Sequence, residues 1–476
     1  MKQQRVRFRL MAFFLIALLV VAGAYGVYSV STYGSRWFGS SYNTRYRAAR
    51  KTVIPGDIID RNGVVLATTD AEGKRTYASD PYTRTAMVHL VGDGEGNVAN
   101  SVDAFQASYL WGFETSLKER VIALFSGESR RGDNVTLTVD SKLQTTIAAV
   151  FDREENSKGK AGAAVVMNYQ TGEVLALLSL PAFDPMSDLK AVSSNAQHPF
   201  WNRALQSVLP PGSTFKIVTA VAALNHLPQA ETRTFDCSTG ATMIMEQIIR
   251  DYGYEHHGMI TLDKAFRVSC NNSFAQAALL MGDEALRKTA EGFGFNDNFL
   301  FRDLVVENSV YPTKNRNDFE IAWSGAGQSQ VAATPLHMCM VAASIANDGV
   351  MMEPRILKEV VSPKGVQRMT YSQKVYRQAC DSATAAKLET YMKDVVLNGT
   401  GKSAAVEGVS IAGKTGSAES SLDGKYVTHA WFVGYIDDPA YPYAVSVFVE
   451  EGNSGGKAAA PIAREIFAYL IQQSGR

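Results

Sequence analysis

The stretch that most constrains this chain is Pro210-Pro211-Gly212-Ser213-Thr214-Phe215-Lys216, followed at once by Ile217-Val218-Thr219-Ala220-Val221-Ala222-Ala223-Leu224. Two prolines and a glycine end any preceding helix and force a rigid turn. The apolar, alanine-rich run behind them predicts a buried helix. Ser213 therefore falls at a helix start, with Lys216 three residues on and on the same face. A serine hydroxyl is a weak nucleophile until a base takes its proton. A buried lysine, or one beside another cation, has a lowered pKa and can serve as that base. Free backbone N–H groups at the helix start could hold an oxyanion.

Ser-x-x-Lys alone says little. It also occurs at Ser157/Lys160, Ser187/Lys190 and Ser454/Lys457. Those three stand in polar or glycine-rich loop sequence with no apolar helix behind them. Ser269-Cys270-Asn271 adds a Ser-x-Asn, a pattern that Ser41/Asn43 and Ser193/Asn195 also match by chance. Lys414-Thr415-Gly416 is the one Lys-Thr-Gly in the chain. Singly, Lys414 reads as an exposed strand lysine, Ser269 and Asn271 as a helix cap, and Cys270 as a small packed side chain. The three motifs in this order form the set found in penicillin-binding proteins and class A β-lactamases.

On those motifs the chain resembles a class B penicillin-binding protein, a D,D-transpeptidase of bacterial cell-wall synthesis. Gly56-Asp57-Ile58-Ile59-Asp60-Arg61-Asn62-Gly63 resembles the signature of that family's N-terminal module, with Pro55 where an arginine is usual. Asn202-Arg203-Ala204-Leu205, His257-Gly258 and His429-Ala430-Trp431-Phe432-Val433-Gly434-Tyr435 are similar too. The run from Gly327 to Leu336 looks most like short PbpA-type class B proteins of Gram-positive bacteria.

At 476 residues, two or more domains are expected. Four boundaries follow: a cytoplasmic tail over 1–9, a transmembrane anchor over 10–30, a pedestal or dimerisation module over 31–140, and a transpeptidase domain over 141–476. Lys2, Arg5, Arg7 and Arg9 precede a charge-free run from Leu10 to Val30. That run can span a bilayer, and the basic tail places the N-terminus in the cytoplasm. Arg36, Arg45, Arg47, Arg50 and Lys51 follow it and weaken the asymmetry. A cleaved signal peptide is the alternative, with Ala22-Gly23-Ala24 as its site. Either puts the catalytic part outside the cytoplasm.

Gly56 to Ala67 alternates around Asn62-Gly63 and predicts a hairpin. Asp60 and Arg61 are expected to form an ion pair that holds the module together. Ser141 to Glu155 predicts an amphipathic helix capped by Asp140 or Ser141. Strands are expected at Ala163 to Asn168, Glu173 to Ser179, Ser410 to Ala418, Ala430 to Ile436 and Tyr443 to Glu450. A largely helical region lies between the second and third, Thr334-Pro335-Leu336 opens a buried helix, and Ala458 to Gln472 closes the chain. This is an α+β layout with an antiparallel five-stranded sheet and helices on both faces, the serine penicillin-recognising fold that the resemblance implies.

The formal net charge is zero, so no basic field points to nucleic acid. Cys237, Cys270, Cys339 and Cys380 form no C-x-x-C pair and the histidines no H-E-x-x-H, so neither a zinc site nor a cofactor is expected. A Cys237–Cys380 disulfide stays open. Cys339 reads as a buried thiol.

The resemblance implies a role for each motif residue. Ser213 attacks the penultimate D-alanine carbonyl of a peptidoglycan stem peptide, and Lys216 takes its proton. Ser269 relays that proton, and Asn271 offers an amide to Lys216 or the substrate. Lys414 supplies charge that lowers the Lys216 pKa and attracts the substrate carboxylate, which Thr415 hydrogen-bonds. Gly416 leaves the strand edge open to substrate. The Ser213 and Ser417 N–H groups form the oxyanion hole. β-Lactams acylate such a site. The implied partner is a SEDS-type glycan polymerase; a glycosyltransferase domain does not fit before Asp140. A β-lactamase, which needs a deacylation base, a carboxypeptidase, which uses water as acceptor, and a non-catalytic β-lactam sensor remain open at this point.

Overall fold

The computed structural model describes residues 2–38, 52–114, 125, 130–251, 255–314, 316–422 and 425–474. A single helix, Lys2–Phe38, opens the chain. Its apolar part, Gln4–Val30, has 27 residues and is exposed along nearly all its length, with Ser29 buried near its end. At about 1.5 Å per residue it is long enough to cross a bilayer's hydrocarbon core. Arg45, Arg47, Arg50 and Lys51 lie outside the described residues.

The hairpin around Asn62-Gly63 forms as expected: Ile58–Ile59 pairs antiparallel with Val65–Thr69, and Gly63 takes the positive φ of the turn. These strands belong to a six-stranded sheet that also holds Arg75–Tyr77, Asn134–Leu137, Leu357–Val361 and Gln367–Thr370. The last two come from far downstream. The sheet thus ties the N-terminal module to later sequence.

The expected Asp60–Arg61 ion pair gives way to a different junction. Asp60 is fully buried. One carboxylate oxygen accepts from the amides of Asn62 and Val64, fixing the turn. The other accepts from the Ser141 amide (3.2 Å) and hydroxyl (2.7 Å), at the start of the helix that follows Asp140. Arg61 donates to the Thr138 carbonyl instead. Four donors satisfy a buried carboxylate better than one half-buried guanidinium could.

Helix α1 (Ser141–Arg153) is capped by Asp140, which accepts from Lys142 and Leu143 amides. Strands β1 (Gly162–Asn168) and β2 (Val174–Leu180) follow as a hairpin. The region that carries the first two motifs contains helices α2 (Lys216–His226), α3 (Leu262–Val268) and α4 (Asn271–Met281). It also contains two short antiparallel ladders, Ala241–Ile244 with Gln247–Arg250 and Thr234–Cys237 with Gly258–Thr261. Helix α5 (Pro335–Ala346) is capped by Thr334, and all but its last residue is buried, Cys339 included. Strands β3 (Ile411–Leu422), β4 (Lys425–Ile436) and β5 (Tyr443–Val449) precede the last helix, α6 (Ala460–Ser474).

The five strands form one antiparallel sheet in the order β3-β4-β5-β1-β2. Strands β1 and β2 are buried on both faces, which explains their unbroken apolar runs. Helix α5 packs on one face and α1 with α6 on the other. Each face seals its own core: Val165, Met338, Trp431 and Phe448 on the α5 side, Phe151, Phe432, Ile462 and Phe467 on the other. Strand β3 is the free edge, and the site lies along it.

Candidate active site

Residues Gly212–Phe215 form a single 3-10 turn that runs into α2. Ser213 thus stands just before the α-helix rather than in its first turn. The Lys216 amide donates back to the Ser213 carbonyl. The turn is wedged between two backbones. Gly212 has φ +54°, and its amide donates to the Gly327 carbonyl at 2.9 Å. Gly327 has φ +75°, and a Cβ there would stand 2.0 Å from the Gly212 carbonyl oxygen.

On the other side lies β3. A Cβ on Gly416 would stand 2.8 Å from the Pro211 carbonyl oxygen and 3.1 Å from Thr214. The absence of a side chain at Gly416 therefore also lets the Ser213 turn pack against the strand. Ser417 is half-buried beside the same turn, its carbonyl facing Gly212.

Ser213 is half-buried, and its hydroxyl makes no hydrogen bond among the described residues. Lys216 is fully buried. Its ammonium does not bond Ser213, as the helical spacing suggested. It donates instead to the Ser269 carbonyl (2.7 Å), the Asn271 side-chain carbonyl (2.8 Å) and, at 3.3 Å, the Ser269 hydroxyl. It also lies 5.2 Å from the Phe274 ring centre. A hydrogen bond to a charged group contributes about 1.5–3 kcal/mol, which offsets part of the cost of burying the ammonium.

Ser269 ends α3 in the left-handed conformation, φ +63°. A non-glycine residue held there is strained, and such strain collects at functional sites. The conformation turns both its carbonyl and its hydroxyl toward the lysines. Cys270 then caps α4 through Sγ, accepting from the Ser273 amide. The helix-cap reading of Ser269-Cys270-Asn271 is thus correct for the backbone, while the side chains of Ser269 and Asn271 do more. The Asn271 amide nitrogen donates to the Arg250 carbonyl at 2.9 Å, which fixes its carbonyl oxygen on Lys216.

Lys414 is also fully buried. It donates to the Ser269 hydroxyl at 2.9 Å and to the Thr415 carbonyl at 3.1 Å. Burial lowers both lysines. Lys216 falls to about 8, with burial as its leading cause, and Lys414 falls well below its ordinary value through burial and then the charge of Lys216. Burial is thus what lowers Lys216, and it is the charge of Lys216 that adds to burial in lowering Lys414. Thr415 is buried, and its hydroxyl shares a 2.6 Å hydrogen bond with Thr400.

The structure therefore brings Ser213, Lys216, Ser269, Asn271, Lys414, Thr415, Gly416 and Ser417 into one cluster. The other Ser-x-x-Lys pairs serve elsewhere: Ser157 bonds the Phe151 carbonyl and Ser187 the Asp184 carbonyl. Sequence reasoning missed Thr400, Gly327 and Asp251. Asp251 accepts from the Asn271 and Asn272 amides and so holds the start of α4. No motif announces these residues; only the φ-demanding glycine before Gln328 left a trace. The four cysteines are free, and Cys237 lies beside Cys270, not Cys380.

The family model for the penicillin binding protein transpeptidase domain matches residues 162–468. The peptidoglycan D,D-transpeptidase PbpA of Mycolicibacterium smegmatis is 31% identical over 377 residues, which cover 74% of this chain and 76% of the relative. The stage V sporulation protein D of Bacillus subtilis is 32% identical, over 72% of this chain and 54% of that protein. Among solved structures, a ceftriaxone acyl-enzyme complex of penicillin-binding protein A from M. tuberculosis superposes with a TM-score of 0.79 at 27% identity. It covers 89% of this chain and 99% of that one.

Proposed function

Since this chain belongs to the penicillin-binding protein transpeptidase family, we propose that Ser213 is its nucleophile and that it cross-links peptidoglycan stem peptides as a D,D-transpeptidase. The observation that carries the reading is the buried Lys216, one turn from Ser213 and bonded to Ser269 and Asn271.

Ser213 Oγ attacks the carbonyl carbon of the penultimate D-alanine, and the proton of the hydroxyl passes to neutral Lys216. Lys216 is suited to the task because burial brings its pKa near neutrality. The negative charge on the carbonyl oxygen falls to the backbone N–H groups of Ser213 and Ser417. As the tetrahedral intermediate collapses, the C–N bond breaks. The proton returns through Ser269, which both donates and accepts, to the leaving amine of the terminal D-alanine. An amine of a second stem peptide then attacks the acyl-serine and restores the Ser213 hydroxyl. A β-lactam undergoes the same attack, but its leaving amine stays tethered. Lys414 draws in the substrate carboxylate. Thr415, aligned by Thr400, is placed to bond it.

The division into tail, anchor, pedestal and transpeptidase domain, with boundaries at 10, 31 and 141, is part of the same reading. So are a catalytic domain outside the cytoplasm and a glycan polymerase as partner. The apolar helix Gln4–Val30 supports the anchor. The test is intact-mass analysis with penicillin. One covalent adduct is expected, absent from Ser213→Ala and slow to hydrolyse in the native chain. An adduct on Ser213→Ala would refute the nucleophile, and rapid penicillin turnover would favour a β-lactamase.

A further inference from the structure

Behind the Ser269 turn, side chains that the reaction does not use converge on one point. Asp251 Oδ2 lies 3.2 Å from Cys270 Sγ and 3.6 Å from His257 Nε2. The ligand atoms of these three all lie within 4.8 Å of one another. Cys237 Sγ is 3.1 Å from Cys270 Sγ. In a tetrahedral zinc site with metal–ligand distances of about 2.0–2.3 Å, neighbouring donor atoms stand roughly 3.3–3.8 Å apart. Asp251 stands near that range from Cys270 and His257. Cys237 lies closer to Cys270 than that range and outside the mutual 4.8 Å set, so its side chain must turn to reach an ion.

Two thiols, one imidazole and one carboxylate are also the donor types that zinc takes. Asp251 and both cysteines are buried, and the His257 side chain is only 12% exposed.

The local fold holds the donors in register. Cys237 and Gly258 are cross-strand partners, and the His257 amide donates to the Cys237 carbonyl at 3.1 Å, so the ladder sets Cys237 and His257 side by side. The Asp251 amide bonds the Gly240 carbonyl, and Cys270 is fixed as the cap of α4. An outer ring surrounds them: Asn272 Nδ2 donates to Asp251 at 2.9 Å, and the Ser273 hydroxyl touches Cys237 Sγ at 3.0 Å. Asp251 alone would suffice to cap α4. A cap does not call for an imidazole within 4.8 Å of the cap's thiol and carboxylate, or for a second thiol beside the first.

We infer that this chain binds one structural zinc ion through Asp251, His257 and Cys270, with Cys237 completing the tetrahedron. Binding forms two Zn–S bonds, one Zn–N bond and one Zn–O bond. The two thiol protons leave to solvent, and the imidazole binds neutral. No ligand position stays open for water, so the ion acts on structure rather than on substrate. Its effect reaches the site through Cys270, the residue between Ser269 and Asn271. Held by the ion, Cys270 would fix the strained turn that presents both neighbours to Lys216. All four are positioning residues. The sequence hid the site because its donors are spread from 237 to 270 without a C-x-x-C or H-E-x-x-H spacing.

The experiment uses the full chain in detergent, stripped of metal and titrated with zinc alone. Metal content and a chromophoric chelator in competition report binding, and thermal melting reports stability. The expected result is one zinc per chain, a higher Tm with zinc, and a loss in affinity of at least about tenfold in Cys270→Ser and His257→Ala. His257 is partly exposed, so His257→Ala is the variant that keeps the fold; its metal-free Tm should match the metal-free native chain. Cobalt in place of zinc should show a thiolate charge-transfer band that Cys270→Ser diminishes. Failure to bind zinc stoichiometrically, or native affinity in His257→Ala, would overturn the inference. So would a resident Cys237–Cys270 disulfide in a non-reducing peptide map. None of these readouts depends on whether Ser213 is acylated.

Discussion

Lys216 and Lys414 both aim their ammonium groups at the Ser269 hydroxyl, at 3.3 Å and 2.9 Å. Two fully buried cations that share one acceptor disfavour a second proton, so one lysine can stay neutral near physiological pH.

From that pairing, the acylation rate with penicillin should rise with pH through about 8, as Lys216 loses its proton and becomes a base. Lys216→Arg, which cannot deprotonate, should lose about a hundred- to ten-thousand-fold. Lys414→Arg fixes a charge where burial and the charge of Lys216 disfavour one, and should retain part of the rate, with weaker binding from its bulk. Second-order acylation rates from neutral to alkaline pH decide the matter. If Lys216→Arg acylates like the native chain, Lys216 is not the base.

Ser269→Gly separates geometry from chemistry. Glycine accepts φ +63° without strain, so Tm should hold or rise slightly. The Lys216 bond to the residue 269 carbonyl survives, but the shared hydroxyl is gone. Acylation should fall by at least about tenfold even though the protein is no less stable. A native rate in this variant would remove Ser269 from the proton path.

Gly327→Ala should disturb the Ser213 turn from outside the motifs. The new Cβ meets the Gly212 carbonyl, and φ +75° is unfavourable for alanine. A loss of about 1–3 kcal/mol in denaturant unfolding is expected, together with slower acylation. An unchanged acylation rate would mean that the turn does not depend on this contact.

Asp303 gives a stability prediction with a sign. It is fully buried, accepts from the Ile356 and Leu357 amides, and burial raises its pKa to about 7. The native state therefore holds a proton that the unfolded state has lost above about pH 4. The folded pKa is raised, so its contribution is full below the unfolded value and declines as pH rises through about 7. Asp303→Asn keeps an acceptor for both amides and cannot ionise. Its Tm relative to the native chain should increase between pH 5 and 8; a flat difference would place the charge elsewhere.

Topology is checked by N-terminal sequencing of membrane-extracted protein. The uncleaved anchor predicts a start at or next to Met1, and a start at Tyr25 would establish signal cleavage.

The sequence by itself determined which side chains meet at the candidate site and most of the scaffold. Ser213, Lys216 and Lys414 were legible because three short motifs carry them in a fixed order along the chain. β1, β2 and α5 were legible because full burial leaves unbroken apolar runs, and Asn62-Gly63 because few residue pairs fit such a turn. Tertiary structure decided what depends on contacts between distant segments. It placed Lys216 on Ser269 and Asn271 instead of Ser213, because a helix start sets where a side chain begins but the packing of α3 and α4 sets where its ammonium finds acceptors. It moved Asp60 from Arg61 to Ser141, because a buried carboxylate takes the donors that a distant segment brings to it. It gave Gly416 to the packing of the Ser213 turn, a contact across about 200 residues of chain. It gathered Asp251, His257 and Cys270 within 4.8 Å of one another, with Cys237 beside Cys270, through a strand ladder and a helix cap. Periodicity and local propensity record how each segment folds beside its neighbours; they carry no record of which distant backbone will supply a partner.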